Sequence, residues 1–449
     1  MKGRSIVSQL SVIPPAKGRV PGLGHIPRLV RDPLAVLRSL HAEGEVLRLD
    51  IGSMPVVVVT SASTVNEVLV KKAKSFRKGR LFDRVRPLVG NGLANSDGAQ
   101  HIRNRRLIQP VFYKERLQDY AYVMSAHART LTDSWTAGQR IDVHQVMGDF
   151  AIESLAATLF SADIGRPAVQ AVREDLPVIL QNMLRRALAP KFTDDWPIWK
   201  KFDTSAARMR AVIDDVITAT RAAAPETRTD LLSLLLSARD DAGKGLTDEE
   251  VRDELTTMLF AGSETTASTL AWALHHLAHR PDIEQEVLAE IDRVLGMRDT
   301  ISFADVAQLP SVTRVLDEAL RLHGVVTLMR RATEPVTIGG YLLPAETEVL
   351  LSLYALHRNP DLYPEPDLFD PDRWLPEQRQ ARPREHEVPF GAGNRKCIGD
   401  RFAWMEATIA LATILPRWKL RPVPGVKAPR ESTASMAHPT AMPMIVQPR

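Results

Sequence analysis

A chain of 449 residues, 44% hydrophobic and 25% charged, has enough apolar material for a large buried core and needs no covalent staples. Its 58 basic and 54 acidic residues leave a net charge of +4 spread along the chain, which argues against nucleic acid as a partner. Cys397 is the only cysteine, so an intramolecular disulfide and a multi-thiolate metal site are both excluded, and a reducing, cytoplasmic setting is expected.

In chain order, residues 1–13 carry Lys2 and Arg4 without the continuous apolar centre of a secretory signal. No apolar run approaches the ~20 residues of a membrane span, so no membrane anchor is expected. Val46–Ile51 alternates apolar and polar residues, Gly52 to Met54 turns, and a β-branched run follows at 56–60; together they predict a hairpin. Over residues 62–320 the period is mostly helical, broken at intervals by Pro, Gly and Asp. Thr247 and Glu250 have capping-box spacing and no proline follows until Pro281, which predicts a helix long enough to cross the molecule. Its middle, residues 259–266, sets Gly262, Glu264, Thr265 and Thr266 among apolar neighbours, which is unusual for a buried helix. After Arg331 the pattern shortens to strands at 336–338 and 348–353. The prolines between 360 and 376 predict an extended or turning surface segment, and 400–418 reads as an amphipathic helix. With no linker, charge block or repeat in view, residues 1–449 are expected to form one domain, mainly α with a smaller β-rich part. The β-rich portions are expected near 40–62 and 333–353 plus C-terminal strands, and the helical body over about 63–330 and 398–418.

The segment 390–399 holds Phe390, Gly391, Gly393, Arg395, Cys397 and Gly399. The glycines permit tight turns and close backbone approach, so that amide donors face the sulfur and a flat macrocycle can lie against the chain. Cys397 also precedes a predicted helix, whose N-terminal dipole favours an anionic sulfur, and Arg395 suits a carboxylate of a prosthetic group. Taken alone, a single cysteine is more often a small buried hydrophobe. This segment, however, resembles at every diagnostic position the F-x-x-G-x-R-x-C-x-G signature of the cytochrome P450 family. The resemblance implies haem b (iron protoporphyrin IX) with Cys397 as the axial iron ligand and Phe390 and Arg395 beside it; thiolate donation of this kind favours O–O cleavage.

Other motifs stand in the order the family has them. Glu318 and Arg321 match its E-x-x-R pair, on one helical face by their spacing, and by resemblance Arg373 completes a buried ionic network with them. Without the family they would be an ordinary surface pair worth about 0.3 kcal/mol. Ala261, Gly262, Glu264 and Thr265 resemble the oxygen-activation motif: Glu264 relays protons, Thr265 holds a water or the oxygen ligand, and Gly262 leaves room for oxygen. The plain alternative is a helix whose threonines bond back to carbonyls and bend it. His101 and Arg105 resemble the propionate-binding site of an early helix, although many relatives carry Trp where this chain has His101, and Arg330 falls where the family places another propionate ligand.

The resemblance covers almost the whole chain and implies the cytochrome P450 fold, with haem between the long central helix and the Cys397 loop. It implies a monooxygenase that inserts one oxygen atom from O2 into a C–H bond. Electrons, ultimately from NAD(P)H, are expected through a separate ferredoxin and ferredoxin reductase, docked by an acidic face to Lys114, Arg395, Lys396 and Arg401; each of these is as readily a solubilising charge. A monomer is expected. By analogy the substrate pocket takes Phe82, Val89, Leu93, Val325, Val326 and Leu328, which fit an apolar small molecule. Residues 369–376 and 389–400 are especially similar to actinobacterial enzymes that hydroxylate cyclic terpenes in secondary metabolism. Fatty acid, steroid or polyketide oxidation stays open, because Arg84 and Arg86 offer cations to an acidic substrate. The competing class is a haem-binding sensor or carrier without oxygenation, which would keep Cys397 and the propionate ligands but would not require Glu264 and Thr265.

Overall fold

The computed structural model describes residues 9–160, 162–189, 191–223, 230–433 and 436–449; the first eight residues of the N-terminal segment lie outside them. The helices that carry the candidate site are α1 (Arg80–Val89), α2 (Gly98–Ile108), α3 (Val143–Leu159), α4 (Asp248–His279), α5 (Pro310–His323) and α6 (Asp400–Ile414). The strands are β1 (Val46–Ile51), β2 (Met54–Val59), β3 (Phe76–Lys78), β4 (Thr327–Ala332) and β5 (Glu348–Ser352). The described chain is mainly helical with a smaller β part, and no described helix is long and apolar enough to cross a membrane. It divides into two compact units, one of residues through Asp83, Asp317–Cys397 and Glu431–His438, the other of Arg84–Leu316, Ile398–Arg430 and Pro439–Arg449.

The first unit is built on a sheet of order β1-β2-β5-β4-β3. β1 and β2 form the predicted hairpin, Val46 opposite Val59 and Ile51 opposite Met54, turned at Gly52 with φ 61°. β2 then runs parallel to β5, which explains why its valines form a continuous apolar run: Val57 and Val59 pack with Leu10, Ile13, Val349 and Leu351, while Val58 packs with Leu37, Leu40, Leu47 and Leu49. β4 begins inside the expected helical body, which was bounded near residue 330. Its strand state comes from pairing on both edges, with β5 and β3, after α5 ends before Gly324. Such pairing is a tertiary effect that local pattern does not report.

In the second unit α4 runs for 32 residues from a reciprocal capping box, Thr247 Oγ1 accepting from Glu250 N and Glu250 Oε2 from Thr247 N. It ends before Pro281. Gly262 lets α4 lie tightly on α3: a Cβ there would stand 2.7 Å from Leu155 Cδ2. α6 stops at Ile414, short of the predicted 418, because Pro416 follows; Trp418–Pro422 becomes a strand in a sheet with Arg140–Asp142 and Pro443–Pro448. From Met405 onward α6 is buried all round rather than amphipathic.

Candidate active site

Cys397 is exposed at the end of a loop held by its own backbone. Gly391 N donates to Val388 O at 2.9 Å, Cys397 N to Phe390 O at 2.9 Å and Lys396 N to Gly393 O at 3.2 Å. Gly391 and Gly393 have φ of 69° and 68°, and a Cβ on Gly393 would stand 2.1 Å from Leu69 O, so this turn admits only glycine there. The loop lies by β4, with Leu328 Cδ1 3.8 Å from the Cβ position of Gly391. Arg330, also on β4, is 5% exposed and donates to Met329 O at 2.8 Å; Phe390 and Arg395 are half-buried.

The same unit contains an ionic network with almost no access to water. Arg321 holds Glu318 in a bidentate pair, Nε to Oε2 at 2.8 Å and Nη2 to Oε1 at 2.7 Å. Its remaining N–H groups reach the carbonyls of His357, Pro366 and Leu368 at 2.9, 2.7 and 3.1 Å. Arg373 Nε lies 3.4 Å from Glu318 Oε1, and its Nη2 donates to Glu365 O at 3.1 Å. Sequence reasoning missed two donors: Asp370 N and the Trp374 indole, 3.0 and 2.9 Å from the Glu318 carboxylate. Trp374 directly follows Arg373, so proximity in sequence was the available signal. Beside the network, burial pushes the Asp317 carboxyl up to about 7 even with Arg379 at 3.0 Å.

In the second unit, α4 exposes apolar Ala261 between buried Leu259 and Ser263. Thr265 Oγ1 donates to Ala261 O at 2.7 Å, in series with Ser263 to Leu259 at 2.7 Å and Thr269 to Thr265 at 2.8 Å. These are the back-bonds of the plain reading, and they also leave the Thr265 lone pairs as acceptors. Glu264 is half-buried. The absent side chain of Gly262, assigned from sequence to oxygen, is directed at Leu155, so the structure gives this glycine a helix-packing reason. On α2, His101 is buried and Arg105 half-buried, whereas Arg103 and Arg106 turn to Asp240, Glu250 and Asp241. Sequence reasoning also missed Glu406 of α6. It is 1% exposed, with Ser154 of α3 and Thr266 of α4 beside it, and burial pushes its carboxyl up to about 8.

The expected pocket residues divide between the units. In the first, Phe82 is half-buried with the Lys78 ammonium 4.6 Å from its ring centroid, and Val325 and Leu328 are half-buried against the core. Val326 instead packs inward with Leu47, Leu49 and Tyr354. In the second, Val89 lines a cleft with Ile179, Met209, Thr256 and Phe260, and Leu93 is half-buried.

A haem suits this donor set. Cys397 is an exposed sulfur at the end of a glycine-shaped loop, of the kind that can ligate a haem iron. Arg330 and Arg395 in the first unit, and separately His101 and Arg105 on α2 in the second, are donors of the kind that bind carboxylates. The class these features suit is a haem-thiolate protein. The chain belongs to the cytochrome P450 family, whose model matches residues 14–444, and is a monooxygenase of that family. It is 41% identical to cyclooctatin synthase of Streptomyces melanosporofaciens over 97% of this chain and 95% of that protein. It is 39% identical to cyclooctat-9-en-7-ol 5-monooxygenase of the same organism, over 91% and 90%. It is 33% identical to pentalenene oxygenase of Streptomyces avermitilis, over 94% and 95%. The fold matches the crystal structure of the cytochrome P450DA heme domain with a TM-score of 0.86 at 28% identity, covering 97% of this chain and 98% of that one.

Proposed function

We propose that the protein hydroxylates a C–H bond of a cyclic terpene, using haem b on Cys397 and electrons delivered from NAD(P)H by a separate ferredoxin and ferredoxin reductase. The observation that carries this reading is the near full-length similarity to cyclooctatin synthase, with pentalenene oxygenase as a further relative.

The bound haem supplies the oxidising chemistry. The protein supplies the rest. Cys397 gives the sulfur; Arg330, Arg395, His101 and Arg105 hold the carboxylates; Phe390 and Ala261 offer apolar surface. Glu264 relays protons, and Thr265, whose own proton is given to Ala261 O, accepts a hydrogen bond from the water that carries them. Phe82, Val89, Leu93, Val325 and Leu328 exclude water and orient the substrate.

A neutral hydrocarbon is favoured over a fatty acid because the nearby cations are engaged. Arg84 holds Asp194 and Ala189 O, each at 3.0 Å. Arg86 holds Asn91 Oδ1 at 2.9 Å and Asn95 O at 2.8 Å. The test is a panel of cyclic terpenes and fatty acids, read first as a spin-state shift on binding and then as incorporation of labelled oxygen. Cyclic terpenes are expected to shift the spectrum and to be hydroxylated. Fatty acids doing so while terpenes do not would overturn the substrate reading.

A further inference from the structure

We infer that Glu254, with Asp253 beside it, is a positioning residue for substrate selection: it clamps the loop that carries Leu93, together with helix α2, onto the long helix α4. This rests on the proposed function in one respect, that Leu93 faces the substrate.

Glu254 lies on α4 seven residues before Ala261 and is 0% exposed. Its Oε2 accepts the backbone N–H of Leu93 at 2.8 Å, and its Oε1 accepts the side-chain amide of Asn104 at 2.9 Å. Asn104 stands on α2 between His101 and Arg105. One carboxylate therefore joins the long helix, the pocket loop and the helix proposed to hold the haem carboxylates. Asp253 adds a second tie, its Oδ2 accepting Asn91 N at 2.7 Å.

The loop is shaped to receive these ties. A Cβ on Gly90 would stand 2.1 Å from Asp253 Oδ1, and one on Gly92 would stand 2.2 Å from Thr257 Oγ1 and 2.5 Å from Asp253 O. Backbone thus lies flush on α4 where any side chain would lift it away. The loop is also braced on itself: Asn91 Nδ2 donates to Gln100 Oε1 at 2.7 Å, Asn95 Nδ2 to Gly90 O at 2.9 Å and Arg86 Nε to Asn91 Oδ1 at 2.9 Å.

Stability alone does not account for the choice of residue. A buried carboxyl is expensive, and burial pushes this one up to about 7. A leucine would fill similar space, but only a side chain with acceptor oxygens can take the loop amide and the Asn104 amide together. Leu93 follows from its amide: where the N–H is held, the side chain is held.

The test compares the haem-loaded wild type with Glu254→Leu, Glu254→Gln and Gly92→Ala. Backbone hydrogen exchange is read at Asn91 and Leu93, and KM, kcat and the ratio of hydroxylated isomers are read with a cyclic terpene. Glu254→Leu should raise exchange at Leu93 and raise KM, each about tenfold, and redistribute the isomers with kcat little changed. Glu254→Gln should restore all of these, since its oxygen can serve Leu93 while its NH2 meets a turned-over Asn104 amide. Gly92→Ala reaches the same loop displacement without touching the buried carboxylate, and so decides the matter if Glu254→Leu does not fold. Unchanged exchange in these variants, or raised exchange with wild-type KM and isomer ratio, would overturn the inference. Exchange needs no substrate, so a wild type indifferent to every cyclic terpene counts against the proposed substrate and leaves the clamp to be judged by exchange.

Discussion

Carboxylates sealed from water show what single residues do here. Both Glu318 oxygens are matched by Arg321, Trp374 and the Asp370 amide, so removing the acid strands a guanidinium that is 2% exposed. Glu318→Ala is expected to lose about 3–5 kcal/mol of stability and most of its bound haem, as read by denaturant melts and the haem-to-protein ratio. Thr265→Ala removes the acceptor next to Ala261 while leaving the apolar surfaces intact. Substrate binding should be unchanged and peroxide release per electron pair should rise; unaltered coupling would count against the proton-handling role. Glu406 gives the pH prediction. Its folded-state value of about 8 lies above the ordinary 4.5, so the folded chain keeps a proton that the unfolded chain releases between those values. The associated stability is present below the lower value and is lost as pH rises through the upper one. Glu406→Gln should therefore gain on the wild type as pH rises from about 5 to about 9, measured by paired denaturant titrations. The pairing of Glu318 with Arg321 was legible because their spacing is local, whereas its burial was legible only through the family resemblance. Glu254 and Glu406 were not, because a carboxylate on a helix looks solvent-facing until distant partners bury it; Leu93, which bonds Glu254, is 161 residues away in sequence.

At the scale of elements, what was legible was what the local chain controls. The hairpin of β1 and β2 follows from alternation and a turn, and α4 begins at a cap whose two bonds lie within four residues. β4 is not legible locally, because its strand state depends on the flanking strands. The end of α6 is marked in the sequence by Pro416, even though the apolar pattern continues past it. The packing of α3 on α4 gives an element-scale prediction. Gly262→Ala forces the end of the Leu155 side chain to move from 2.7 Å, a strain of about 1–3 kcal/mol set against the roughly 1 kcal/mol that alanine gains in a helix interior. Leu155→Ala makes room, so the double variant should be less destabilised than the sum of the single ones. Additive values in a double-mutant cycle would deny this contact.

For the whole molecule, the 390–399 segment together with the upstream motifs in family order points to the family, and the match over residues 14–444 shows it. The pocket was less legible because its candidates come from separated segments, and analogy does not tell which of two adjacent residues points inward; Val326 joins the core while Val325 stays half-buried. The account as a whole depends on a thiolate from Cys397 bonding iron. The most direct measurement is the absorption spectrum of the reduced, carbon monoxide-treated protein and of its Cys397→Ser variant. A strongly red-shifted Soret band in the wild type that is lost in the variant is the predicted result; its absence from the wild type, or its persistence without the sulfur, would contradict the account.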